Sequence, residues 1–287
     1  MKNDILMSAR GVRYMLRSMA LSLFVATLFV TGGQPAHAGL FSISPEKERR
    51  IGEEAAREIE SKAPIVKGPV ADWVNAVGQR LVAVSNPEFK YSFRVIDSRE
   101  INAFALPGGY IYVYTGLRKI AQTDDELAAI LAHEITHAEE HHYAQQYKKA
   151  SKRGLGLTIL SMAVGLPGVA NQVLSIVDFS MTQKYSRTHE FLADEKGLQR
   201  MARAGFDPNG MVTLLEKLSK ESGKTDTLDR WFGSHPDGGR RVEAAKREVA
   251  EVKALQVKND PSVRPRFAPW RSDAFLQPID NSGAPSP

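Results

Sequence analysis

His133-Glu134-Ile135-Thr136-His137 puts two imidazoles and a carboxylate on one short stretch of predicted helix. Residues four apart on an α-helix lie one above the other, so both histidines face one point and Glu134 is turned toward its edge. By this spacing a helix offers zinc two nitrogen ligands and sets a general base beside the water the metal activates. The flanks also read as helix. Thr123-Asp124-Asp125-Glu126 forms a capping box, with Thr123 as N-cap, Glu126 reaching back and acidic residues in the first turn, where the helix dipole favours them. Leu127, Ile130, Leu131 and Ile135 then recur at helical spacing, which predicts one flank of the helix in a core.

A hydrolytic zinc site takes three protein ligands and keeps one position open. His141 continues the four-residue ladder, but on an unbroken helix it lies about 12 Å along the axis from His133, too far to share an ion. A metzincin would place Gly and His where this chain has Glu140 and Tyr143. The stretch Tyr185 to Asp194, YSRTHEFLAD, offers Glu190 and Asp194 on one face of a second predicted helix. Glu190 would complete the two-His, one-Glu set of thermolysin. Asp194, one turn on, is placed to hold the second ring nitrogen of a ligand histidine. Such a pair alone reads as a solvated acidic face; following His133 to His137 and flanked by Phe191, Leu192 and Ala193, it supplies the candidate third ligand. His141, His142 and His189 read as supporting or surface groups.

Four motifs, in this order and spacing, carry a resemblance: Asn102 to Gly109 (NAFALPGG), HEITH, Ser186-Arg187 with Glu190 and Asp194, and Ser234-His235-Pro236 with Arg241 six residues after the histidine. Together they resemble the HtpX and CAAX prenyl protease family of zinc metallopeptidases, over about Ile51 to Val249. Among its members the chain is most similar to small secreted bacterial ones of the periplasmic BepA-like kind, though it shows no repeat of the tetratricopeptide period those relatives carry. The resemblance implies an α+β, mainly helical, zincin-like domain with a small sheet beside the active-site helix. It implies one Zn2+ per chain on His133, His137 and Glu190, with Glu134 as base. It implies a substrate backbone paired along Asn102, Ala103, Phe104 and Ala105. His235 would approach from a loop, either aiding the oxyanion or filling the open metal position in a closed state, and Arg241 would anchor that loop. The expected reaction is peptide hydrolysis on misfolded or misassembled envelope proteins. The alternative is a zinc-bearing chaperone or adaptor with gated or absent proteolysis.

Residues 1–38 read as a secretory signal peptide: basic Arg10, Arg13 and Arg17, an apolar core from Met19 to Val30, and Ala36-His37-Ala38 before Gly39. The leader predicts export to the periplasm, or membrane association if it is retained. Its Lys2, Arg10, Arg13 and Arg17 against Asp4 carry +3 of the formal +5, leaving +2 for residues 39–287, so no nucleic-acid footprint is expected. The chain has no cysteine, hence no disulfide. One catalytic domain is expected over 39–258, with a Pro-rich, flexible tail over 259–287. Ser44-Pro45 starts one surface helix to about Ser61, and Pro69 another through Leu81. Tyr91 to Ile96, Ile101 to Leu106 and Tyr110 to Tyr114 read as strands, the last two joined through Pro107-Gly108-Gly109. Gly154 to Phe179 is apolar around Gly165, Pro167 and Gly168, with arms too short to span a bilayer; it reads as a packed helical hairpin and a candidate surface for membrane or envelope-protein contact.

Overall fold

Ser44 accepts a hydrogen bond from the Lys47 amide, and Pro45 supplies a preset φ at the first position, so α1 (Pro45–Lys62) starts where the sequence indicates. It buries Ile51, Ala55 and Ile59 along one stripe. The described residues of this computed structural model are 43–152, 185–221, 229–236 and 238–256. The expected signal peptide over residues 1–38, the apolar stretch from Gly154 to Phe179 and the tail from Asn259 lie outside them. After α1 come β1 (Ile65–Val66), α2 (Pro69–Val82), β2 (Ser92–Ile96), β3 (Ala103–Leu106), β4 (Tyr110–Tyr114) and a 3-10 turn (Thr115–Lys119). The remaining helices are α3 (Asp124–Glu139), α4 (His142–Lys152), α5 (Arg187–Arg203), α6 (Asn209–Glu221), α7 (Asp229–Ser234) and α8 (Gly238–Gln256).

The sheet runs β1-β2-β4-β3, with β2 and β4 parallel and the other pairs antiparallel. β1 is an addition to the three strands read from the sequence. Among the described residues β3 pairs only with β4 and so forms one edge of the sheet, β1 forming the other. Side chains of a strand alternate between faces. Phe93, Val95, Ala103, Ala105, Ile111 and Val113 accordingly join the core made with α2 and α3. Ile96, Phe104, Leu106, Tyr112 and Tyr114 join a second core with α1 and with Tyr143 and Tyr147 of α4. At the β3–β4 turn Gly108 and Gly109 have φ of 78° and 91°, the left-handed region in which a Cβ is strained.

α3 is the hub. Thr123 Oγ1 accepts from the Glu126 amide at 3.2 Å, while Glu126 Oε2 accepts from the Gln122 amide at 2.9 Å, one residue earlier than a capping box requires. Sequence periodicity accounts for one buried flank, but every residue from Glu126 to Ala138 is buried. The other flank is covered by α5 and α6, whose Leu198, Met201, Met211, Leu214 and Leu215 complete the core. Gly197 brings α5 within contact of the His133 backbone: a Cβ there would lie 3.4 Å from its nitrogen. Among the described residues no helix is long and apolar enough to cross a membrane.

Candidate metal centre

Three segments converge on the Nε2 ends of the buried α3 histidines. α3 presents His133, Glu134 and His137. α5 begins at Ser186, whose hydroxyl accepts from the His189 amide at 3.2 Å, and this start fixes Glu190 in the first turn with Asp194 one turn on. The α7–α8 connection carries His235, its amide donating to the Trp231 carbonyl at 2.7 Å and its ring stacked on Trp231 at 4.4 Å. Arg241 enters from the first turns of α8.

His133, His137, Glu190 and His235 each offer a ligand atom, all within 4.8 Å of one another and all buried. His133 Nε2 is 3.0 Å from His137 Nε2, 3.2 Å from His235 Nδ1 and 3.6 Å from Glu190 Oε2. His137 Nε2 is 3.4 Å from Glu190 Oε1, and His235 Nδ1 is 3.2 Å from both Glu190 oxygens. Donors bound tetrahedrally at about 2.0 Å stand roughly 3.3 Å apart, so this spacing suits a small cation.

The supporting bonds make the same case. Asp194 Oδ1 accepts from His133 Nδ1 at 2.9 Å. A carboxylate only accepts, so Nδ1 of His133 carries a hydrogen, and in the neutral ring its Nε2 is bare and faces other acceptors. Bare nitrogens and a carboxylate gathered out of water repel one another unless a cation sits among them. Arg241 clamps Asp194 through Nε to Oδ2 at 2.6 Å and Nη2 to Oδ1 at 2.8 Å, and reaches Glu190 Oε2 with Nη1 at 2.6 Å.

Burial opposes ionisation of Glu190 and Asp194, but the neighbouring cations outweigh it. His235 and Arg241 hold Glu190 well below the usual carboxylate range, and Arg241 holds Asp194 down in the same way. Burial pushes His137 far below the ordinary imidazole value, so it stands as a neutral donor. His235 moves the other way, because Glu190 outweighs its burial.

Glu134 is fully buried, and burial raises its carboxyl against the pull of His235 and His133. Among the described residues neither of its oxygens accepts a hydrogen bond of standard geometry. The closest charged partner is His235 Nε2, 3.5 Å from Oε1, and the Ala105 amide of β3 faces the same group from longer range. A buried carboxylate with spare lone pairs, on the edge of a cage of ligand atoms, is equipped to take up a proton.

The structure thus brings together His133, Glu134, His137, Glu190, Asp194, His235 and Arg241. Asn102 to Ala105 lie along the β3 edge beside α3, with Asn102 buried and its Oδ1 without a hydrogen-bond partner among the described residues. His141 points away to Glu48 and Glu88, at 2.8 and 3.1 Å. Sequence reasoning missed two rings: Tyr185 stacks on His137 at 3.8 Å, and Trp231 on His235. His142, read from the sequence as a supporting or surface group, places Nδ1 2.8 Å from His137 Nδ1. Burial, with His189 alongside, pushes His142 down to about 3. Tyr185 opens the YSRTHEFLAD stretch, so its place beside the motif was the available signal. Trp231 offered none.

Comparison with known proteins agrees with the geometry. A putative beta-barrel assembly-enhancing protease of Vibrio cholerae is 31% identical over 226 residues, 75% of this chain and 47% of that protein. The mitochondrial metalloendopeptidase OMA1 of Schizosaccharomyces pombe is 30% identical over 226 residues, 77% of this chain and 65% of that protein. The metalloprotease LoiP of Escherichia coli is 26% identical over 216 residues, 71% and 81% of the two chains. The chain spans about half, 47%, of the assembly-enhancing proteases it matches. The model of peptidase family M48 matches residues 70–249, from the start of α2 through most of α8 and so across every group of the cage. With more than half its length inside that match, the chain belongs to peptidase family M48.

Proposed function

We propose that the chain is a zinc-dependent endopeptidase of the cell envelope, with His133, His137 and Glu190 holding one Zn2+ and Glu134 moving the protons. The observation that carries this reading is the four-donor cage with an unpartnered, fully buried Glu134 at its edge. When bound, zinc supplies Lewis acidity, acidifying water and polarising the scissile carbonyl. The protein groups do the rest. Asp194 orients His133 through Nδ1, and Arg241 fixes Asp194 and Glu190 together. Glu134 takes a proton on its carboxylate as water attacks, then returns it to the leaving nitrogen. Burial of all these groups excludes bulk water and strengthens each electrostatic contact. The edge position of β3 lets a substrate backbone pair along Asn102, Ala103, Phe104 and Ala105 as an added strand.

His235 favours a gated form of this reading. With its Nδ1 as near the shared centre as the other donors, it occupies the position that water needs. Hydrolysis then requires the α7–α8 connection to withdraw, and Arg241 anchors the α8 side of it. The chaperone or adaptor reading corresponds to a connection that stays closed.

Envelope proteins that misfold or fail to assemble are the proposed substrates. The leader-like N-terminus and the likeness to beta-barrel assembly-enhancing proteases support this assignment. Export predicts that the protein recovered from a bacterial periplasm starts at Gly39; recovery with residues 1–38 intact would point to a retained anchor. The test of activity is casein cleavage by the zinc-loaded protein and by its Glu134→Gln and His235→Ala variants. Loss of cleavage in Glu134→Gln at unchanged zinc content, with cleavage raised in His235→Ala, is expected. Full cleavage by Glu134→Gln would overturn the assignment, and lower cleavage by His235→Ala would make that residue a helper rather than a gate.

A further inference from the structure

The chain turns sharply just past the second α3 histidine. On an unbroken helix a residue five places on lies about 140° around the axis, so His142 would face away from His137. Instead α3 stops at Glu139, the Glu140 amide closes on the Thr136 carbonyl, and His141 takes φ 50°. Among the described residues His141 is the one non-glycine with positive φ, a conformation that a Cβ disfavours. Its surroundings impose it. Nδ1 lies 2.8 Å from Glu48 Oε1, Nε2 lies 3.1 Å from Glu88 Oε2, and the ring meets Phe89 edge-on at 5.4 Å. The result of the turn is that His142 Nδ1 comes to 2.8 Å from His137 Nδ1.

We propose that His142 is the positioning residue of His137, accepting its Nδ1 hydrogen and so holding its Nε2 bare and aimed into the cage. The inference rests on the reading that His133, His137 and Glu190 hold the metal. Two ring nitrogens at 2.8 Å attract only if one carries hydrogen and the other does not. A His137 that offers Nε2 to a metal must carry its hydrogen on Nδ1, so His142 is the acceptor there and bears its own hydrogen on Nε2. That Nε2 is buried and has no hydrogen-bond partner among the described residues, so none of them competes there to set the tautomer.

The two rings are also clamped. His189 stacks on His142 at 4.0 Å and 10°, and Tyr185 covers His137 at 3.8 Å and 23°. The two ligand histidines are therefore oriented by different chemistry, an anion for His133 and a neutral imidazole for His137.

The test compares zinc affinity, by chelator competition, for the full chain and its His142→Leu and His142→Asn variants. Leu fills the space without an acceptor, whereas Asn returns an oxygen close to the place of Nδ1. Loss of such an orienting partner typically lowers metal affinity 10–100-fold. That loss is expected for His142→Leu, with recovery to within about threefold in His142→Asn. The visible spectrum of the Co2+-substituted protein should shift in the Leu variant and return in the Asn variant. Equal affinities in all three proteins, or equal losses in both variants, overturn the proposal. If His142→Leu does not fold, 15N NMR of the unmodified zinc-loaded protein decides: hydrogen on His142 Nε2 supports it, hydrogen on Nδ1 overturns it. An unmodified protein that binds no zinc would overturn both this inference and the metal reading beneath it, whereas zinc binding indifferent to His142 would overturn this inference alone.

Discussion

The Arg241 guanidinium is the most exposed to consequence of any single group, because it is buried between two carboxylates. Removing one partner of a buried ion pair strands the other, at about 3–5 kcal/mol. Arg241→Met is expected to lower the unfolding free energy of the metal-free protein by about that amount in urea titrations, and by less with zinc bound; an unchanged midpoint would contradict the clamp. Glu48 gives a pH signature remote from the cage. Burial lifts its carboxyl from 4.5 to about 7, and His141 only partly offsets this. The folded state therefore favours the protonated form. Its contribution is complete below about 4.5, the unfolded value, and is lost as pH rises through about 7. Between pH 5 and pH 8 the unmodified protein should lose up to about 3 kcal/mol more stability than Glu48→Gln. Parallel pH profiles for the two would refute this. At this scale HEITH, Glu190 and Asp194 were legible because helical spacing puts each set on a shared face and the HEITH context singles out the Glu190/Asp194 pair from an ordinary acidic face. His142 was not, since its place depends on a backbone break at His141 that glycine usually signals and that here is imposed by Glu48 and Glu88, 93 and 53 residues away.

Among the elements, α1 and the β3–β4 turn are locked by backbone contact. A Cβ on Gly52 would collide with the Pro107 carbonyl, and one on Gly108 would come within 2.6 Å of the Arg49 Cα. Neither neighbour is a side chain that can swing aside. Gly52→Ala is expected to destabilise by about 1–3 kcal/mol or more, and to raise amide exchange in α1 before that in α3; a neutral substitution would show that α1 is not seated as described. Helix starts were readable because Ser44, Thr123 and Ser186 cap by local chemistry. Strand identity was readable from β-branched and aromatic content. Strand order was not, because β2 pairs with β4 rather than with its sequence neighbour β3, and β1 is only two residues long. The full burial of α3 was equally hidden, for it depends on α5 and α6 arriving from later in the chain.

For the molecule as a whole, the metal is expected to act as a staple joining α3 to α5, two helices separated by the 47 residues 140–186. A ligand at 100 times its dissociation constant stabilises the folded state by about 2.7 kcal/mol. For a domain of this size each kcal/mol corresponds to about 2–4 °C. Chelation should therefore lower the melting temperature by roughly 5–10 °C, and added Zn2+ should restore it; Mg2+ should not, since an imidazole-rich cage is poorly matched to it. The overall class, an α+β helical domain with a small sheet beside the metal helix, followed from the order of the motifs. The proposed envelope role rests on the leader-like N-terminus and on relatives of whose length the chain spans 47%, and His235 in the open metal position was foreseen through the family resemblance rather than through spacing.

The most direct test of the central claim is anomalous scattering at the zinc edge from crystals of the zinc-loaded protein. One peak is expected, bounded by His133 Nε2, His137 Nε2 and the Glu190 carboxylate, with Glu134 beside it. No peak among these three groups, or the dominant peak at another cluster, would contradict it.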